Sequence, residues 1–201
     1  VVRYERREGG PDCASTHTAN HANGLAAAAL VGLAEVACWS GDASVAAEVI
    51  ALVDRQTALY GGGVPRGAQT WEMPLHTPDI LASARLVRLY TLAYALSGEP
   101  RHLAQARYWA WTGVPFVYLD PPVDAPVGLY ATIAVLGATH WHAPFWIGLP
   151  VQWCGLVYRS ALLDLARLDG EHAATWERLA TGITRAGLQM TFPLDDAETF
   201  A

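Results

Sequence analysis

The sequence contains no lysine, and the features of nucleic-acid, disulfide and zinc proteins are scarce. All 13 basic residues are arginine, and the formal net charge is -6. Because no basic stripe exists to neutralise phosphates, we expect no nucleic-acid partner. The 3 cysteines, Cys13, Cys38 and Cys154, are far apart and include no CxxC spacing. This pattern indicates neither a disulfide framework nor a four-ligand zinc site.

The sequence also lacks an evident membrane span, a signal peptide and an initiator methionine. The apolar run over residues 25–39 is shorter than a membrane helix needs and contains Glu35. We therefore expect no membrane partner. The chain opens within VVRYERREGG and stops at DDAETFA without a closing element, which predicts a fragment of a larger domain. The compartment stays open for that reason, with a secreted or periplasmic location included, and so does the oligomeric state.

The 201 residues are 52% hydrophobic, which is enough for one sizeable core, so we predict a single domain over 1–201. Two kinds of helix alternate along it. Helices apolar on nearly every face are predicted at about 24–39, 78–97 and 154–168. Amphipathic helices are predicted at about 45–60, 100–112 and 171–190.

A helix that is apolar on every side must be surrounded by protein, whereas an amphipathic helix shows one face to water. Buried and half-exposed helices that alternate in hairpins are typical of an α/α toroid. The sequence therefore predicts an all-α fold, an incomplete α/α toroid. The apolar helices form its inner row and the amphipathic helices its outer row.

The loop before the second apolar helix is crowded with groups that bind polar ligands. They are Arg66, Gln69, Trp71, Glu72 and His76. The helix start signal Thr77-Pro78-Asp79 follows, in which Thr can cap the free N–H groups and Pro suits the first helical position. Residues 113–153 contain six prolines among apolar pieces and predict no helix, although GLYATIAVLGA fits either a buried strand or a short helix. A loop region of this length is usually functional.

The loops before the apolar helices, 16–24, 66–76 and 138–153, should meet at one end of a toroid. They hold most of the histidines and half of the tryptophans. Aromatic faces suit sugar rings, and polar side chains hydrogen-bond sugar hydroxyls. For any single tryptophan a core position is the simpler interpretation, but Trp146 and Trp153 are flanked by Pro and Gly and are better ligand candidates. The predicted substrate-binding residues are Arg66, Gln69, Trp71, Tyr130, His140, His142, Trp146, Gln152 and Trp153.

The hairpin LASARLVRLYTLAYALSGEPRHLAQARYWA resembles the six-hairpin glycosidase superfamily, the α/α toroids of glycoside hydrolases and some polysaccharide lyases. The resemblance covers most of the chain as architecture. It implies a carbohydrate-active enzyme that cleaves glycosidic bonds of an oligo- or polysaccharide without a cofactor. Its Trp-rich cleft would lie at the loop end of the inner helices.

Hydrolysis would need two carboxylates that flank the scissile bond. Glu72 is the predicted acid, because desolvation between Trp71 and Met73 would raise its pKa. His76 would orient a hydroxyl, and Asp79 is more simply a helix-start residue. The second carboxylate would come from Asp195, Asp196 or Glu198.

Elimination is the alternative, because Asn20-His21 looks like the Asn-His element of toroid lyases. There the Asn helps to neutralise a uronic carboxylate and the His contributes to proton abstraction, and Tyr130 would serve as the acid. We prefer hydrolysis, because the loops offer only Asn20, Asn23 and Arg66 to neutralise a uronate. The predicted catalytic residues of the two schemes are Glu72, His76, Asn20 and His21.

Other classes of protein remain as alternatives. His140-x-His142 could ligate a metal, and Gln152-Trp153-Cys154-Gly155 resembles the Trp-Cys zinc ligand of lanthionine-cyclase toroids. That family also needs a Cys-His pair, which is absent, so we expect no metal. The run Asp195-Asp196-Ala197-Glu198 is too slight for the metal motif of a terpene cyclase. A non-catalytic toroid that binds a glycan or a protein is the remaining alternative.

Overall fold

A computed structural model describes residues 22–68, 78–125, 127–136, 148 and 150–191. Within these ranges the chain forms six α-helices and no β-strand beyond isolated bridges, so the predicted all-α class is confirmed. A short 3-10 helix, Val114–Phe116, follows the fourth α-helix. The helices are α1 (Asn23–Ser40), α2 (Ala43–Tyr60), α3 (Ile80–Ser97), α4 (Pro100–Gly113), α5 (Gln152–Ala166) and α6 (Ala173–Gln189).

Local signals set most of these boundaries within two residues of the prediction. Gly41 and Gly98 end α1 and α3 in the left-handed conformation, with φ of 65° and 67°, which glycine adopts without steric cost. At the start of α3, the prediction that Pro78 occupies the first helical position is wrong. Pro78 lies before the helix, and Asp79 is the cap, since its carboxylate accepts a hydrogen bond from the backbone N–H of Ala82 at 2.6 Å.

Helix α3 is the centre of the bundle. It packs against α1, α2, α4 and α5, and α6 packs on α5. Eleven of its residues are buried, against four in α2, which agrees with the prediction that 78–97 is more buried than 45–60. The apolar helices α1, α3 and α5 therefore lie side by side with α3 in the middle.

Helix α1 is less buried than its composition predicts. Leu33, Val36 and Trp39 are 46%, 57% and 97% exposed, because only one face of the helix meets α2 and α3. Burial on every face of 24–39 is thus not what the described residues show. An apolar composition indicates a helix that could be surrounded, but the neighbours decide how many faces are covered.

The same helix is longer than the apolar run suggested. Its 18 residues have a mean hydropathy of 1.3 and meet the length and composition of a membrane span, and 28% of them are buried. A core helix of a soluble bundle passes the same test. Glu35 of α1 forms an ion pair with Arg88 of α3 at 2.7 Å.

In the long connection between α4 and α5, the described part of GLYATIAVLGA forms neither of the predicted conformations, a buried strand or a short helix. The described part of the connection consists of turns and bends with isolated bridges that join Val117 to Thr132 and Ile133 to Pro150. The segment is still buried, since Ala131, Thr132 and Ala134 have little or no exposed surface. Periodicity predicted its burial but not its conformation.

Candidate functional site

The segments that precede α1, α3 and α5 are hydrogen-bonded to one another at one end of the bundle. The N–H of Gly24 donates to the carbonyl of Arg66 at 2.9 Å, and the N–H of Asp79 donates to the carbonyl of Pro65 at 3.1 Å. The segment before α5 joins the start of α3 through the bond from Ile80 N–H to Ala134 O at 3.1 Å, and within that segment Val151 N–H donates to Thr132 O at 2.7 Å. The described ends of the first two predicted loops, 22–24 and 66–68, therefore meet, and most of the predicted loop residues lie outside the described residues. We call this region the loop end.

Asn23 and Arg66 join the first two segments. The side-chain amide of Asn23 donates to Val64 O at 2.8 Å and accepts from the backbone N–H of Arg66 at 2.9 Å. Asn23 is fully buried, so its amide holds the backbone in place and does not face a ligand. The guanidinium of Arg66 is half-buried, and burial lowers its pKa. Arg66 thus brings a cation to the loop end.

Among the described residues of the loop end, Asp79 is the carboxyl group whose pKa is strongly shifted. It is 1% exposed and accepts backbone hydrogen bonds from Ala82 at 2.6 Å and from Ala68 at 3.0 Å. Burial raises the pKa of Asp79 to about 7, although these bonds and the charge of Arg85 favour the ionised form. Both carboxylate oxygens already accept backbone bonds, so the geometry supports the predicted helix-start role.

Gln152 has a structural role at the start of α5. Its side-chain oxygen accepts from the backbone N–H of Thr132 at 3.1 Å, and its amide nitrogen donates to Ile183 O of α6 at 2.8 Å. Both ends of the amide are therefore engaged, which does not support the predicted contact with substrate. The neighbouring Trp153 is 46% exposed and keeps an accessible surface at the loop end.

Tyr130 lies elsewhere. Its ring packs on Gly182 of α6, where a side chain on the glycine would collide with it, and its hydroxyl accepts from Nε of Arg178 at 3.3 Å. The structure therefore places the Tyr130 side chain against α6. It makes no described contact with Arg66, Asp79 or Trp153, the groups of the loop end.

The remaining predicted site residues lie outside the described residues. The nearest described residues on either side of 69–77 are Ala68 and Pro78, and Ala68 is held at the loop end by its bond to Asp79 given above. Those beside 137–147 are Leu136, whose N–H donates to Pro78 O at 3.2 Å, and Gly148, whose carbonyl accepts from the Tyr118 hydroxyl. The predicted residues in question are Asn20, His21, Gln69, Trp71, Glu72, His76, His140, His142 and Trp146.

A buried carboxylate that was not predicted from the sequence lies between α5 and α6. Asp169 is fully buried and accepts from Arg107 at 2.5 Å and from the indole of Trp176 at 2.8 Å. Burial alone would raise its pKa, but the bonds from Arg107 and Trp176 outweigh burial and lower it. No local signal marks this group, because Arg107 is far away in the chain.

Among the described residues, one group has the spacing of a metal site. The possible ligand atoms of Asp169, Glu171 and His172 lie within 4.8 Å of one another. Arg107 forms ion pairs with both Asp169 and Glu171, at 2.5 and 2.7 Å. The guanidinium therefore already supplies the positive charge that a cation would bring. Cys154, the thiol of the zinc alternative, is buried within the packing of α5.

A Ser–His–Asp arrangement at the opposite end of α3 is also new. The Ser97 hydroxyl lies 2.8 Å from Nδ1 of His102, and Nε2 of His102 lies 3.1 Å from Asp54. The hydroxyl also bonds the carbonyl of Ala93 and the N–H of Glu99, in the turn between α3 and α4. His102 is 1% exposed. These contacts connect α2 to the turn, and the hydroxyl of Ser97 is engaged by backbone groups of that turn as well as by His102.

The loop end thus combines a half-buried cation, an exposed indole and a rigid backbone frame. Such a frame can orient a polar ligand that is bound by the loops it supports. Comparison of the chain with protein families, curated proteins and solved structures finds no match.

Proposed function

We propose that this protein is a carbohydrate-active enzyme that cleaves glycosidic bonds, built on an α/α toroid to which its helical hairpins belong. The observation that carries the proposal is the hydrogen-bonded meeting of the segments before α1, α3 and α5. Loops that precede neighbouring inner helices share one end only when those helices run parallel. A parallel inner row with antiparallel outer helices is the arrangement a toroid uses.

The chemistry assigned to this end is general acid catalysis. Glu72 would protonate the leaving oxygen, and Trp71 and Trp153 would stack on sugar rings. Trp153 supports this assignment by its exposed indole at the loop end. The role of Glu72 rests on its sequence context, between Trp71 and Met73 in the segment that joins Ala68 to Pro78.

Elimination from a uronic acid stays as the second candidate, and the half-buried Arg66 favours it. A lyase must neutralise the substrate carboxylate before a base removes the neighbouring proton, and a cation at the loop end suits that step. In this scheme His21 would be the base and Asn20 would assist Arg66.

The test is to incubate the native protein with polysaccharide pools and to analyse the new chain ends. Hydrolysis yields reducing ends without unsaturation, and we expect Glu72→Gln to lower the rate by about 10²–10⁴-fold, the usual loss when a general acid is removed. The matched control is Glu48→Gln, an exposed carboxylate on α2, which should keep full activity.

Unsaturated uronic ends that vanish with His21→Ala would establish the lyase scheme instead. Binding of polysaccharide with no new chain ends, unaffected by Glu72→Gln, would indicate a non-catalytic glycan-binding toroid. Full cleavage by both the Glu72→Gln and the His21→Ala variants would contradict both catalytic assignments.

A further inference from the structure

A cavity of about 380 Å³ lies on the outer side of the bundle, between the end of α4, the connection after it and the first half of α6. No residue of α1, α3 or α5 lines it, so it is separate from the loop end. Its volume falls in the range of roughly 300–1,000 Å³ that small-molecule sites occupy. Its lining combines an exposed indole, Trp111, with the polar groups of Tyr130, Thr175 and Arg178.

Trp111 is held in place from behind. It is 46% exposed, and its ring meets the buried ring of Trp176 edge-on at 4.7 Å between centroids. Trp176 is fixed in turn by its hydrogen bond to the buried Asp169, and His172 meets Trp111 edge-on at 6.1 Å. An exposed aromatic face that is already ordered loses little conformational entropy when a ring stacks on it.

Tyr130 adopts an unusual backbone conformation. Its φ of 65° lies in the left-handed region, which a residue other than glycine adopts only where its surroundings enforce it. The N–H of Tyr130 donates to Tyr118 O at 2.7 Å, and the absence of a side chain at Gly182 lets its ring lie on α6. These contacts hold the left-handed conformation and keep the Tyr130 hydroxyl beside Arg178 in the cavity.

Arg178 is a cation without an acidic partner in the part of the chain that the structure describes. Its Nε donates to Tyr130, and the residues three and four positions away on α6 are Ala174, Thr175, Thr181 and Gly182, none of them acidic. A guanidinium whose Nε is engaged still has its two terminal nitrogens for a carboxylate.

We propose that this cavity binds a sugar ring that carries a carboxylate, a uronate unit. The ring would stack on Trp111, the carboxylate would pair with Arg178, and the hydroxyls of Thr175 and Tyr130 would bond the ring hydroxyls. The site takes no part in bond cleavage, so it does not depend on the proposed function. It would hold an acidic saccharide on the outer face of the protein.

The test is an NMR titration of the whole chain with trigalacturonate and, as the matched neutral ligand, with its methyl ester. We expect trigalacturonate to shift the backbone amides of Tyr130, Thr175 and Arg178 and to bind about tenfold more tightly than the ester. Arg178→Gln should remove this preference, and Trp111→Ala should weaken the binding of both ligands about tenfold.

The control variants are Arg185→Gln, an exposed arginine further along α6, and Trp39→Ala, the 97% exposed indole on α1. Neither should change the affinity. Because Arg178 is exposed, Arg178→Gln keeps the test valid even where Trp111→Ala fails to fold. Absence of binding, equal affinity for acid and ester, unchanged affinity in both site variants, or equally tight binding of benzoate would overturn the proposal.

Discussion

At the scale of single residues, two aspartates in the same structural position behave in opposite ways. Asp42 and Asp79 both cap helices by accepting backbone N–H bonds. Asp42 is exposed, and its hydrogen bonds from Ser44 and Val45 lower its pKa. Asp79 is buried, and burial raises its pKa to about 7. The cap was readable from the sequence, but the protonation of Asp79 depends on what covers it.

Asp79 should therefore make the protein less stable as the pH rises from about 4 to about 7. The unfolded carboxyl releases its proton near pH 3.9, whereas the folded one retains it to about 7, so the folded state binds more protons in this window. Asp79→Asn keeps an oxygen for the Ala82 N–H but cannot ionise. We expect urea unfolding to show the variant gaining stability over the wild type as the pH rises across this window.

Asp42→Asn is the matched control. The pKa of Asp42 is lowered on folding, so its contribution to stability is present above about pH 4 and is lost as the pH falls through its folded pKa. The control should therefore follow the wild type between about pH 5 and 7. Identical pH profiles for wild type and Asp79→Asn would show that the Asp79 pKa is not raised.

At the scale of helices, α1 and α3 have similar compositions but different surroundings. Leu89 of α3 is fully buried in the core, whereas Leu33 of α1 is 46% exposed. Hydrophobic periodicity predicts both helices as inner ones. The difference arises because α3 has neighbours on both sides in the row, while the described neighbours of α1 are α2 and α3.

Leu89→Ala should cost about 2–5 kcal/mol of unfolding free energy, because a buried leucine leaves a cavity when it is truncated. Leu33→Ala should change the unfolding free energy by no more than about 0.5 kcal/mol, as expected at an exposed helix position. Chemical denaturation of the two variants measures both values. A cost for Leu33→Ala close to that of Leu89→Ala would mean that further protein covers this face of α1.

At the scale of the whole molecule, exposed apolar side chains collect on α1. Leu33, Val36 and Trp39 recur every three residues and so share one side of the helix. Contiguous apolar surface of this kind usually marks an interaction site. Such a surface agrees with the proposed toroid, in which α1 is an inner helix with no described inner neighbour on its other side.

We expect the 201-residue chain to self-associate through this side of α1. Its sedimentation coefficient should rise with concentration, and the double substitution Leu33→Gln with Val36→Gln should reduce that rise. Thr181→Gln, at an exposed position on α6, is the control and should leave the association unchanged. A wild-type chain that sediments as one monomeric species at every concentration would contradict this expectation.

The sequence alone determined the all-α class and, for the part of the chain that the structure describes, six helices with their ranges to within about two residues, because caps, glycine turns and periodicity act over a few neighbouring positions. It also predicted that the loops before the apolar helices meet, since hairpins of alternating burial imply a parallel inner row. Only the tertiary structure decided which face of α1 is covered, that Asp169 pairs with Arg107, and that Tyr130 lies on α6. These features arise from contacts between residues far apart in the chain, and local pattern carries no record of them.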